Sequence, residues 1–150
     1  MMPFRVTIAR RVADCAPRAV YAAVLALAAG GVQAEQAFPL PTLPSGLEVV
    51  LQEKFLDIKP DGDLTYARFR FVAPGLSGEG APDFEARLKD MDVLCSDYAL
   101  PHVEVTPDKV DRIVISLADR ALEFGVADPA ATQFFEIYGV ENGACIWGEF

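Results

Sequence analysis

The chain has 150 residues, with 13 Lys and Arg, 22 Asp and Glu, one His and three Cys, enough for one globular domain and too short for a large multidomain enzyme. At 52% hydrophobic and 23% charged it carries far more apolar material than a disordered acidic tail. A formal net charge of -9 argues against nucleic acid and against anionic lipid surfaces, because both are held mainly through Lys and Arg.

Residues 1 to 18 hold Arg5, Arg10, Arg11 and Arg18 against a single Asp14, residues 19 to 29 are an uninterrupted apolar run, and Val32-Gln33-Ala34 ends the segment. A basic start, a short apolar stretch and a small-x-small site make a secretory signal peptide over residues 1–34, cleaved after Ala34. The run falls short of the roughly 20 residues that span a bilayer, so no membrane association is expected after cleavage. Val12, Ala13 and Asp14 follow Arg10-Arg11 where a twin-arginine signal has bulky apolar residues, which favours the general secretion route. Cys15 does not end the apolar run, so lipidation is not expected. The remaining 116 residues keep nine basic and 21 acidic side chains, a net charge of -12. They also keep two cysteines, Cys95 and Cys145, and an even pair in an exported chain reads as one disulfide. Periplasmic or secreted localisation follows.

Residues 35–44 form a lead-in with three prolines between Phe38 and Pro44, which favours extended chain; the domain is expected over 45–150. Leu47, Val49 and Leu51 alternate, as do Ala67, Phe69 and Phe71, at the period of half-buried strands. Between them Lys59-Pro60-Asp61-Gly62-Asp63 has turn chemistry, so the two strands form a hairpin. After a Gly-rich loop from Pro74 to Gly80, apolar residues recur every three or four positions: Phe84, Leu88, Met91, Leu94 or Cys95, and Tyr98. This spacing predicts an amphipathic helix, with Pro82 in its first turn, Asp83 and Glu85 complementing its dipole, a Glu85–Lys89 pair on its wet side, and Pro101 ending it. Asp90, Asp92 and Asp97 are expected on its hydrated face. Strands are expected at Val103–Val105, Ile113–Leu117, Leu122–Phe124 and Phe134–Val140. Asn142-Gly143 then signals a tight hairpin that places Val140 opposite Cys145 and Tyr138 opposite Trp147; a slip of one residue would instead turn Phe135, Ile137 and Ile146 inward. Trp147 and Phe150 are expected to close the core, with an interface position as the alternative. The whole reads as an α+β fold, a mainly antiparallel sheet of about five strands with one amphipathic helix on a face.

Catalytic motifs are sparse. Gly75-Leu76-Ser77-Gly78-Glu79 lacks the final glycine of a nucleophile elbow, and neither a dinucleotide fingerprint nor a P-loop is present; Ser77 reads as a loop serine. His102, the single histidine, follows Pro101 at an expected corner and reads as a partly exposed spacer. Pairing of the two cysteines removes a thiol nucleophile. No cofactor is implied. Asp57, Asp61 and Asp63 form the best cation-binding candidate, since hard cations favour several oxygens on a turn, although their spacing is not that of an EF-hand and Asp belongs in turns for conformational reasons alone.

Five stretches, Leu43–Val49, Phe69–Pro74, Leu94–Pro101, Ala131–Glu136 and Gly143–Trp147, together resemble a family of small secreted proteins of Rhodobacter-group alphaproteobacteria, built on a domain of unknown function. The resemblance spans nearly the whole exported chain and implies no catalytic residue. Some proteins of that family carry the name acetolactate synthase. That enzyme class holds thiamine diphosphate and a divalent metal with a Gly-Asp-Gly motif and a downstream Asn on a much longer chain; Asp61-Gly62-Asp63 inverts the motif and lies in an expected hairpin, so the name is not supported. The resulting expectation is a non-catalytic exported binding module for a basic protein or cationic ligand, with a small carboxylate-based or cation-dependent hydrolase as the alternative.

Overall fold

The computed structural model describes residues 38–106 and 108–148; the expected signal peptide and Phe150 lie outside them. Five strands, β1 (Val50–Asp57), β2 (Tyr66–Val72), β3 (Arg112–Ala118), β4 (Gln133–Glu141) and β5 (Ala144–Trp147), form one sheet in sequence order; β1 begins later than the alternation of Leu47, Val49 and Leu51 predicts, so Leu47 and Val49 lie outside it. β1–β2, β3–β4 and β4–β5 pair antiparallel, whereas β2 and β3 pair parallel. A parallel pair requires a crossover, and the helix between β2 and β3 supplies it. The fold is α+β, with a mostly antiparallel sheet.

The helical run is 21 residues long: α1 (Phe84–Val93) passes through a π-helical stretch (Leu94–Ala99) into α2 (Leu100–Glu104). Pro101 therefore does not end the helix, and Val103 and Glu104 are helical rather than strand. The reason is local. A proline inside an α-helix lacks its N–H and its ring meets the carbonyl four residues back. The wider π turn, in which the Leu100 N–H bonds to the Cys95 carbonyl five residues back, takes up the ring without breaking the run. At the other end Asp83 is the N-cap, its carboxylate accepting from the Ala86 N–H at 2.9 Å; Pro82 precedes the cap instead of occupying the first turn.

The core lies between this helix and one sheet face. Ala67, Phe69, Phe71, Ile113, Ile115, Leu117 and Tyr138 meet Met91, Leu94, Cys95, Tyr98 and Ala99, and Tyr98 sets its ring edge-on to Phe69 and Phe71. The Pro-rich lead-in joins this core: Leu43 is 3% exposed and Phe38 stacks edge-on against His102. Phe84, expected on the apolar stripe, is 61% exposed.

The opposite sheet face is partly covered by residues 119–132. No strand forms at Leu122–Phe124. Instead Leu122 is buried and its carbonyl accepts from Gln52 Nε2 at 2.6 Å and from Arg70 Nη2 at 2.9 Å. Gln52 reaches it because a β-bulge between Leu51 and Glu53 re-aims the strand. Phe124 then lies edge-on to Phe55 and over the guanidinium groups of Arg68 and Arg70.

Asn142 (φ 52°) and Gly143 (φ 71°) both sit in the left-handed region, as a two-residue type I′ hairpin requires. The register pairs Val140 with Cys145 and Tyr138 with Trp147, so Phe135 and Ile146 face away from the helix and are exposed. Cys95 and Cys145 are joined, with Cα atoms 6.3 Å apart, which pins the π-helical turn to the terminal hairpin. Among the described residues no helix is long and apolar enough to cross a membrane.

Candidate functional site

A turn, a loop and a helix start converge at one end of the helical layer. The turn closes with the Gly46 N–H bonded to the Leu43 carbonyl at 2.9 Å, and Gly46 adopts φ +79°, a conformation glycine takes without strain. Asp90 anchors it. This residue was expected on the wet face of the helix, yet it is 0% exposed and accepts from the Ser45 backbone N–H at 3.0 Å and from Ser45 Oγ at 2.5 Å. A buried carboxylate is tolerable only when its oxygens are bonded, and the Ser45 turn meets that need. Ser45 Oγ also accepts from the Leu47 N–H at 3.1 Å, so the hydroxyl's proton and one of its lone pairs are engaged.

The loop after β2 forms the second wall. Leu76 is buried beneath it, and Ser77 Oγ donates to Asp119 at 3.0 Å, tying the loop to the end of β3. Asp119 is held at about 2, below the usual carboxylate range, chiefly by Arg120 and further by Ser77. Gly75 leaves room for Leu47: a Cβ there would lie 3.1 Å from Leu47 Cδ1. The third wall is the capped start of α1.

These walls enclose an open cleft of about 610 Å³, lined by Ser45 to Glu48, Pro74, Gly75, Glu79, Gly80, Pro82, Asp83 and Ala86. Its charged groups are three carboxylates, Glu48, Glu79 and Asp83. Neither Glu48 nor Glu79 is in an ion pair with a described residue, and Asp83 commits one oxygen to the helix cap. Carboxylates accept hydrogen bonds and donate none. The lining therefore matches a ligand rich in donors and positive charge, and its one hydroxyl is already engaged.

The three carboxylates expected to gather around a cation are not brought together. Asp57 pairs with Arg68 Nε at 2.7 Å. Asp61 accepts from the Tyr66 hydroxyl at 2.7 Å and from the Leu64 and Asp63 N–H groups at 3.0 Å, which lower its pKa to about 2, with the tyrosine bond the largest cause. Among the described residues no three His, Cys, Asp or Glu side chains form a group able to hold a metal ion.

His102 is buried rather than a spacer. Its Nδ1–H donates to the Tyr98 carbonyl at 2.8 Å, and its ring lies against Phe38, Phe69 and Tyr98. Asp92 accepts from the Tyr138 hydroxyl at 2.9 Å, and burial, followed by this bond, raises the tyrosine pKa above its ordinary value. Asp97 is exposed, as expected. The cleft was not visible as a site in the sequence. Its one signal was the Gly-rich stretch Pro74–Gly80, which contains Glu79 and is followed by Asp83, while the contribution of Ser45 and Glu48 depends on a contact 45 residues away in sequence.

No curated protein and no solved structure matches the chain. Residues 22–150 match a family of unknown function (DUF6497), the greater part of the chain, and the protein therefore belongs to that family.

Proposed function

We propose that the domain is a non-catalytic binding module, exported to the periplasm or secreted, that takes a basic protein or cationic ligand in the acidic cleft. The observation that carries this reading is the cleft itself, where three carboxylates line about 610 Å³ on a domain of net charge -12. Such a field attracts basic partners and speeds their encounter at low ionic strength. Export is supported by the order of basic, apolar and small-residue segments in residues 1–34, and the Cys95–Cys145 bridge suits an oxidising compartment. Removal of the leader at Ala34 leaves Phe38 and Leu43 within the exported chain, where both contact the core.

The test is capture from periplasmic extract at low and high salt, using wild-type domain and a Glu48→Gln/Glu79→Gln/Asp83→Asn variant. Asparagine is chosen as the replacement for Asp83 because it caps a helix as well as aspartate does. The expected result is a basic partner held at low salt by wild type, released by salt and absent from the variant. Equal capture by both proteins, or no salt-sensitive partner, overturns the reading.

A further inference from the structure

Trp147 is the one tryptophan of the chain, and it lies at the open edge of the sheet with 58% of its surface exposed. Its position is fixed. The indole Nε1–H donates to Glu136 Oε2 at 2.8 Å, the backbone pairs with Tyr138 on β4, and two residues earlier Cys145 is bonded to the buried Cys95. A large aromatic held this firmly, with its only polar atom satisfied, presents its π face to solvent at little entropic cost to a binding partner.

The strand that carries it is equally open. β5 is the terminal strand of the sheet and its residues, Ala144-Cys145-Ile146-Trp147, include no charge and no proline, the usual devices that block an edge. In a two-residue hairpin closed by the Glu141–Ala144 pair, Cys145 and Trp147 are the non-hydrogen-bonded positions and turn their N–H and C=O groups outward. Among the described residues none takes up those groups. Carboxylates stand at both ends of the strand on the helix side. Glu136 and Asp92 lie at the Trp147 end, where they accept from Trp147 and Tyr138. Glu104 lies at the turn, with Oε1 3.7 Å from where a Cβ on Gly143 would be. None of the three is in an ion pair with a described residue.

We propose that the β5 edge docks an extended, basic segment of a protein partner, added to the sheet as a sixth strand. Main-chain bonds to Cys145 and Trp147 hold the segment. Its Lys or Arg side chains, at alternating positions on the helix side, reach Glu136 and Asp92 at one end and Glu104 at the other, and one of them stacks on the Trp147 ring. The choice of a basic occupant rests on charge complementarity at this edge and on the reading of the domain as a receiver of basic partners.

The probe is the peptide acetyl-Lys-Thr-Lys-Thr-Lys-Thr-amide, with acetyl-Glu-Thr-Glu-Thr-Glu-Thr-amide as its charge-reversed counterpart, titrated into the disulfide-bonded domain at low salt. Calorimetry gives affinity, fluorescence of the single tryptophan reports contact, and amide hydrogen exchange by NMR reports on β5. The lysine peptide is expected to bind, to change the tryptophan emission and to slow exchange at Cys145 and Trp147, while the glutamate peptide does none of these. Trp147→Ala and Glu136→Gln are expected each to weaken binding about tenfold, while Glu123→Gln, which removes the same charge from the exposed loop after β3, leaves it within twofold. Circular dichroism confirms that each variant is folded. Affinity unchanged in Trp147→Ala and Glu136→Gln overturns the proposal, as does absence of binding to wild type. Loss confined to the Glu48, Glu79 and Asp83 substitutions overturns the edge surface and leaves the cleft standing. The converse, loss at the edge with partner capture indifferent to the cleft variant, overturns the cleft alone.

Discussion

Asp90 shows how one polar side chain can hold a segment that has no regular structure of its own. Ser45 through Leu47 make no ladder bonds, and their order depends on a carboxylate 45 residues away that is 0% exposed. Asp90→Ala removes the acceptor of two bonds and leaves the Ser45 N–H and hydroxyl without it, at a cost of about 2–3 kcal/mol, the scale of hydrogen bonds to a charged group. Urea unfolding of wild type and variant measures this, and a change below about 0.5 kcal/mol would show that the anchor is dispensable. Asp61 illustrates the opposite case, an exposed carboxylate whose bonds are all local. Tyr66, Leu64 and Asp63 lower its pKa from 3.8 to about 2, so the folded state binds its proton less readily than the unfolded chain does. The stabilisation is therefore fully present above pH 3.8 and is lost as pH falls toward 2. Because the Tyr66 hydroxyl is the largest cause, Tyr66→Phe should move the Asp61 midpoint upward in a carboxyl-carbon NMR titration; an unmoved midpoint would contradict the assignment.

The elements that were legible in the sequence are those specified by neighbours in the chain. Asn142-Gly143 marked the terminal hairpin, because such a turn demands positive φ at two successive residues, but its register was open to a slip of one residue; the pairing of Val140 with Cys145 brings Cys145 to the helix side, where Cys95 lies. The β1–β2 hairpin was legible from turn chemistry in the same way. What was not legible depends on distant partners. Asp90 looks like any helical surface acid until Ser45 covers it, and Leu122 looks like a strand residue until Gln52 and Arg70 claim its carbonyl. Pro101 ordinarily ends a helix, and only the π turn before it lets the run continue to Glu104. Trp147 was expected in the core or at an interface, and it lies exposed on the edge strand, where its indole N–H bonds to Glu136. The acidic cleft combines residues from three segments, none with a motif. The covalent link between helix and hairpin carries its own prediction. It closes a loop with a sequence separation of 50, for which chain-entropy arguments give about 4 kcal/mol. A Cys95→Ala/Cys145→Ala variant should lose up to that amount in denaturant unfolding, with β5 exchanging its amide hydrogens faster than β2 and β3. Uniform loss of protection across the sheet would mean that the bridge supports the whole fold rather than the edge.

At the scale of the molecule, charge and compartment belong to one argument. A domain with 21 acidic and nine basic side chains over residues 35–150 repels itself in the compact state, and a disulfide between helix and sheet offsets that cost only where thiols stay oxidised. The same surface attracts a basic partner only if the two share that compartment. Export and bridge therefore stand or fall together, and the intact mass of protein recovered from the periplasm, alkylated with and without prior reduction, tests both at once. The expected species begins at Glu35 and takes no alkyl groups until reduced, then two, at Cys95 and Cys145. A full-length chain alkylated at three cysteines without reduction would place the protein in a reducing compartment, withdraw the stabilisation that the bridge supplies to β5, and leave the acidic cleft facing a cytosolic set of partners.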